Sequence, residues 1–272
     1  MSSSNTETSG SARLGGATWS GFPLSRSFIL RLVSLAALFI AWEIAGRIPV
    51  SFALPPFSRV IEELVGMLLD GSLVRAYAST LQALVLGVVI SATFGVALGV
   101  GLGLSRMAEW WVVPIFIVLY AAPMAALIPL VTFLYGIGLT SKTIAVCLLA
   151  MPVIVLNGYK AVRNVNASLV MMSHSFLATP MQRIFRVIIP DATPVIFAGL
   201  RLGVAGGFIG VVLAEFLITP TGIGDLITYN QSVAEYSLMY AAIVSIMILS
   251  TLTLSALQLV ETRLLRPERR AG

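Results

Sequence analysis

Residues Gly136-Ile-Gly-Leu-Thr-Ser-Lys142-Thr143 approach the GxxxxGK[ST] spacing of a phosphate-binding loop. In such a loop backbone N–H groups cradle phosphates and the lysine neutralises them. Ser141 stands where the second glycine is required and no strand precedes the run, so the segment reads as a short turn between apolar stretches. Metal chemistry finds no support either. His174 is the only histidine and Cys147 the only cysteine, and neither has a second ligand at metal spacing. Cys147 lies inside an apolar run, where a lone cysteine serves as a small packing residue. Ser, His and Asp are not arranged for nucleophilic work. What remains are isolated charges in apolar surroundings: Glu43, Arg201 and Glu215. A charge at mid-bilayer costs at least ~2.5 kcal/mol, so each needs a partner, a path or an exit. Arg201 can reach the interface by snorkelling. Glu215 either sits at the mouth of a path or pairs with backbone or another helix.

Those surroundings define the elements. A soluble domain carries roughly 25% charged residues, whereas this 272-residue chain has 11% charged and 58% hydrophobic residues. Six apolar stretches, at 27–48, 81–105, 111–135, 143–161, 193–217 and 238–260, reach the ~20 residues that a crossing helix needs. They are continuous and lack period-2 alternation, which excludes a barrel. The expected fold is an all-α polytopic membrane protein of about six transmembrane helices. Residues 1–26, rich in Ser, Thr and Gly, read as a disordered tail, 27–262 as the membrane domain, and 263–272 as a basic tail.

The net charge of +5 is distributed by side. With the N-terminus inside, Arg13, Arg26, Arg31, Arg106, Lys160, Arg163, Arg183, Arg186, Arg263, Arg266, Arg269 and Arg270 all fall on inner segments. Only Arg47, Arg59, Arg75 and Lys142 fall on outer ones. This is a positive-inside pattern with both termini cytoplasmic, and it removes the need for a nucleic-acid partner.

Leu54-Pro55-Pro56 breaks the chain after the first span, and Val60, Ile61, Leu64, Met67 and Leu68 then recur at helical spacing. They predict an amphipathic helix along the outer interface or on the bundle. Gly95, Gly99 and Gly103 form two overlapping GxxxG repeats, a face stripped for close helix packing. The third span holds Pro114, Pro123 and Pro129 and the fourth holds Pro152. Such kinks lie beside a transport path or are passive. Pro123, Met124 and Pro129, with Glu215 and Arg201, are therefore the pore or gate candidates.

The segment 161–192 is too long for a simple turn. Leu169, Met172 and Phe176 repeat at helical spacing and predict one short amphipathic helix. Thr179, Pro180 and Gln182 form a capping-box pattern that starts a second, ended by Pro190 and Pro194. Two short helices at right angles make a knob that suits a groove on a partner.

The knob resembles the cytoplasmic coupling loop of ABC importer permeases, whose pattern is E-A-A-x3-G followed after twelve residues by L/I-P. Anchoring on Ile189-Pro190 puts Leu177 at the glycine and Met171, Met172 and Ser173 at E-A-A. The acid and the glycine are absent, while the half from Pro180 onward follows the pattern closely. Leu54-Pro55-Pro56, Ala122-Pro123 to Pro129, Phe133-Leu-Tyr-Gly-Ile-Gly138, and Ala214-Glu215-Phe216 with Gly222-Ile-Gly224 resemble the nitrate/sulfonate/taurine-type branch. The resemblance implies a type I importer permease in a bacterial inner membrane, working by alternating access. It implies three partners besides the bilayer: an ATPase subunit that holds ATP and Mg, an extracytoplasmic solute-binding protein, and a second permease copy. This chain is then a transport subunit with no cofactor and no catalytic residue of its own. The implied ATPase contacts are Leu169, Met171, Met172, Ser173, His174, Phe176, Leu177, Ala178, Thr179, Pro180, Gln182, Arg183, Arg186 and Pro190. The implied solute is a small anion such as nitrate, a sulfonate or taurine, or a similar small organic compound, with a vitamin or vitamin precursor as the alternative. A stand-alone ion-coupled carrier would need paired ionisable residues near mid-membrane, and almost none occur.

Overall fold

A computed structural model describes residues 24–48, 53–218 and 220–265. The expected tails fall outside this range, except that the first helix already begins at Leu24 and the last runs on to Leu265, each inside a stretch read as tail. The elements are α1 (Leu24–Arg47), α2 (Phe57–Leu69), α3 (Ser72–Leu104), α4 (Arg106–Ala121), a 3-10 turn (Met124–Leu127) and α5 (Ile128–Tyr135). There follow α6 (Leu139–Arg163), α7 (Ala167–Ser175), α8 (Pro180–Arg183), a π turn (Ile184–Ile188), α9 (Ile189–Leu217), α10 (Ile223–Ser232) and α11 (Tyr236–Leu265). No strand occurs among the described residues.

Among the described residues four helices are long and apolar enough to cross a membrane: Ser72–Leu104, Leu139–Arg163, Pro180–Leu217 and Tyr236–Arg263. Arg106–Ala121 and Met124–Tyr135, bent by 89° at their junction, make a fifth as a pair. The sequence predicts one kinked helix here; the chain instead turns a corner. Pro114 is tolerated inside α4, Pro123 stands at the corner, and Pro129 occupies the first turn of α5, where its missing N–H costs nothing.

Small residues fix how α3, α6 and α9 pack. A Cβ on Gly99 would stand 2.7 Å from the Val155 carbonyl oxygen, and one on Gly103 would stand 2.5 Å from Val162 Cβ. Gly95 faces Ile154 and Gly87 faces Val146. The partners rise in step along α6, so α3 and α6 run parallel. Gly199, Gly203 and Gly210 of α9 meet Asn157, Ile154 and Ala145 in falling order, so α9 runs antiparallel to α6. Two parallel neighbours need a return crossing between them, and only the α4–α5 segment supplies it. The bent pair is therefore a broken span, not a re-entrant loop. Tyr77 bonds Ser245 across 2.7 Å and Arg201 meets Glu261 at 3.3 Å, which sets α11 parallel to α3.

The helix α1, 24 residues or about 36 Å long, takes the place of the first predicted crossing. Its far end is held by side chains. Trp42 Nε1 donates to the Pro55 carbonyl at 3.3 Å, and the Trp42 ring meets those of Phe57 and Tyr240. Glu43 accepts from the Ser58 N–H at 2.8 Å and from Arg47 at 2.7 Å, which answers how that carboxylate is tolerated. The predicted amphipathic helix is α2, but its buried face is Val60 and Met67, with Leu64 half-buried; Ile61 and Leu68 point outward. Leu24, Leu104, Arg163 and Leu265 thus share one end of the bundle with α7, and α2 and α10 share the other.

Candidate functional site

At the α7 end the chain builds a knob. The Asn166 side chain caps α7 by accepting from Ser168 N–H at 2.9 Å, and the Asn166 N–H donates to the Asp191 carboxylate at 3.2 Å. The helix closes with Ala178 N–H on the Ser173 carbonyl (3.0 Å) and Leu177 N–H on the His174 carbonyl (2.9 Å). That pair of bonds demands a left-handed residue at 177, and Leu177 has φ 53°. This is the position that the permease pattern gives to glycine. The chain keeps the turn while carrying a side chain there, at a cost of about 1–2 kcal/mol.

The next turn is locked by a reciprocal cap. Thr179 N–H donates to Gln182 Oε1 at 2.9 Å and Gln182 N–H donates to Thr179 Oγ1 at 3.3 Å, with Pro180 at the first helical position. The helix that starts here does not end at Pro190. Ile189 N–H reaches back five residues to the Ile184 carbonyl, and the chain passes through this π turn directly into α9. In α geometry the Pro190 ring would collide with the Arg186 carbonyl; the wider turn relieves the collision and leaves one helix, Pro180–Leu217. The predicted second short helix is thus the lower extension of the fifth span.

Nor does α7 present a packed apolar face. Met172 and Phe176 are exposed, Leu169 is half-buried, and Ser173 is the residue turned into the body. The spacing of those three residues is right for a helix face, but that face points away from the bundle. Met171, His174, Met181, Phe185 and Arg186 are exposed as well, while Ala178 and Arg183 are half-buried and Pro190 is exposed.

At the opposite end lies a buried cluster built from segments far apart in the sequence. Lys142, placed in an outer loop by the charge count, is 2% exposed in the first turn of α6. Its Nζ lies within hydrogen-bond distance of Glu215 Oε1 (2.9 Å), Ser79 Oγ (3.0 Å), the Thr221 carbonyl (2.8 Å) and Thr221 Oγ1 (2.9 Å), so its three hydrogens are all engaged. Glu215 accepts further from Thr80 Oγ1 at 2.9 Å and from Gly224 N–H at 3.0 Å, and Thr80 Oγ1 accepts from Ile223 N–H at 3.0 Å. Gly222, at φ 101°, crosses so close that a Cβ would lie 2.0 Å from Glu215 Oε1. The Ala-Glu-Phe and Gly-Ile-Gly stretches are therefore two halves of one clamp joining α3, α6, α9 and α10. The clue in the sequence was a lysine one turn into an apolar helix. Glu215 is thus paired with another helix and with backbone.

The other gate candidates divide. Pro123 and Pro129 are exposed at the broken span, whereas Met124 is buried there. Arg201 is engaged with Glu261 of α11. At the knob end Glu109 holds both Tyr159 and Arg163, tying α4 to α6.

Apolar crossings, a broken span and a capped knob continuous with one crossing define a multi-pass membrane protein of the importer-permease kind. Residues 91–266 match the family described as binding-protein-dependent transport system inner membrane component, and the chain belongs to that family. It is 28% identical to the taurine transport system permease protein TauC of Escherichia coli (strain K12), over 89% of this chain and 91% of the relative. Identity to the putative aliphatic sulfonates transport permease protein SsuC of Bacillus subtilis (strain 168) is 27%, over 85% of each chain. The nitrate import permease protein NrtB of Synechocystis sp. (strain ATCC 27184 / PCC 6803 / Kazusa) is 28% identical over 84% of this chain and 87% of its own. The fold matches a chain of the inward facing MetNI methionine ABC transporter with a TM-score of 0.57 at 19% identity, covering 71% of this chain and 95% of that one.

Proposed function

We propose that this chain forms the membrane path of an ATP-driven importer for a small anion of the nitrate, sulfonate or taurine kind. A separate ATPase subunit holds ATP and Mg and grips the knob on the cytoplasmic side. A solute-binding protein delivers the solute at the opposite face, and a second copy of the chain completes the path. The chain itself carries no catalytic residue and binds no cofactor. Three relatives named for such a solute support this class: taurine, aliphatic sulfonates and nitrate are all small and carry an anionic oxygen group.

The observation that carries the coupling role is continuity. The helix Pro180–Leu217 begins at the Thr179–Gln182 cap in the knob and ends two residues beyond Glu215 in the clamp. At 1.5 Å per residue it spans roughly 57 Å. A push on the knob is therefore delivered along one rod to the other end of the bundle. ATP binding closes the ATPase pair, the knobs approach, and the rods reorient the crossings to open the outer face; hydrolysis resets the inward-facing state. Lys142 cannot serve a nucleotide, since its ammonium is committed to the clamp.

Pro180→Asp tests the role of the cap. The variant inserts and keeps its partners, ATP hydrolysis continues, and uptake into proteoliposomes falls at least about tenfold, or ~1.4 kcal/mol in coupling. Uptake at the wild-type ratio of solute to ATP would remove the knob from the mechanism.

A further inference from the structure

We infer that the ATPase surface receiving the knob is an apolar groove rimmed by carboxylates, with Met171 and Met172 entering where the family pattern places an acidic residue and alanine. The inference rests on the reading that an ATPase subunit grips the knob. Six large apolar side chains stand exposed on it: Met171, Met172, Phe176, Leu177, Met181 and Phe185. Leu177, at the tip, is 90% exposed and Phe176 is 78% exposed. An apolar cluster at a polar end of the molecule marks a surface built to be covered, and unbranched methionines suit an irregular groove.

Lipid is the poorer occupant. A helix lying in a membrane interface segregates its faces, whereas on the knob exposed Asn166, His174, Ser175 and Gln182 are interleaved with the apolar residues. Charge also favours a protein partner of a particular kind. From 160 to 191 the sequence holds Lys160, Arg163, Arg183 and Arg186 against one carboxylate, Asp191, which is engaged by the Asn166 N–H. Arg163 is taken by Glu109, while Lys160, Arg183 and Arg186 form no ion pair among the described residues. A complementary partner therefore presents an apolar floor to the methionines and acidic groups to the arginines.

The test compares Met171→Glu, Met171→Leu and Arg186→Glu in the full-length chain, each measured for affinity of the co-expressed, purified ATPase subunit in detergent at rising salt. Met171→Leu binds within about twofold of wild type, because the groove asks only for apolar volume. Met171→Glu loses more than about tenfold, since an unpaired carboxylate is forced into an apolar groove. Arg186→Glu weakens binding at low salt, and the deficit shrinks as salt screens the rim. Met171 and Arg186 are both exposed, so none of the three disturbs the core, and a single size-exclusion peak checks this. If Met171→Glu binds as well as wild type or better, the groove holds a cation and the inference is overturned. A fluorophore on Ser175→Cys in a Cys147→Ala background reports the rival occupant. Burial of the dye by vesicles of phosphatidylethanolamine and phosphatidylglycerol without ATPase overturns the inference in favour of lipid. If the wild-type chain binds no ATPase subunit at all, both this inference and the function it rests on fail.

Discussion

At the scale of the residue, the clamp shows how a membrane protein keeps full charges out of water. Lys142 and Glu215 lie 73 residues apart in sequence, and each is satisfied by the other and by neutral groups from α3 and the 221–224 stretch. A buried pair adds little net stability over an apolar replacement, but breaking one side strands a charge at a cost of about 3–5 kcal/mol. Lys142→Met is therefore expected to lower the thermal midpoint of the detergent-solubilised protein sharply. Lys142→Met with Glu215→Gln recovers much of the loss, because no charge is left unpaired. A double variant as unstable as the single one would show that the ion pair is not what the cluster contributes. Leu177 is the converse case, a residue held in a conformation its side chain resists because two backbone bonds require it.

At the scale of the element, the π turn sets the angle between knob and rod. Ile184–Ile188 carries an extra residue in its turn, and Pro190 stabilises that geometry by making the α alternative collide. Pro190→Ala restores an N–H and removes the ring, so the turn is expected to relax to α. Losing one residue from the turn rotates the knob by about 100° relative to α9. ATPase activity of the assembled variant then persists while solute uptake per ATP falls by an order of magnitude or so; a variant with unchanged uptake per ATP would show that the angle is irrelevant. The broken span follows the same logic of proline placement. Pro114 is absorbed within α4, Pro129 starts α5, and only Pro123 sits where the chain turns.

At the scale of the whole molecule, parallel packing of α3 and α6 and antiparallel packing of α9 put the knob at one end and the clamp with α10 at the other. The charge pattern predicts which end faces the cytoplasm. Single cysteines at Ser175 in the knob and Ser232 in α10, in a Cys147→Ala background, check it with a membrane-impermeant maleimide. Ser232→Cys is expected to label from outside, and Ser175→Cys only after permeabilisation. The reverse pattern would invert the topology and with it the assignment of the knob to a cytoplasmic partner.

By itself the sequence determined the apolar crossings, the Thr179–Gln182 cap and the glycine face of α3, and it predicts the sidedness of the basic residues. Each of these is written in local spacing: apolar length, a cap four residues long, a repeat of four, charges counted between spans. Tertiary structure alone decided that Lys142 leaves the loop for the core, that the third span breaks at Pro123, that the helix runs through Pro190, and that Ser173 is the residue of α7 turned into the body. The physical reason is common to all four. In a membrane, lipid and protein interior are equally apolar, so hydropathy reports that a side chain avoids water without saying what it touches. Which carboxylate meets a lysine, or which face of a short helix is left bare, is settled by contacts between segments far apart in the chain.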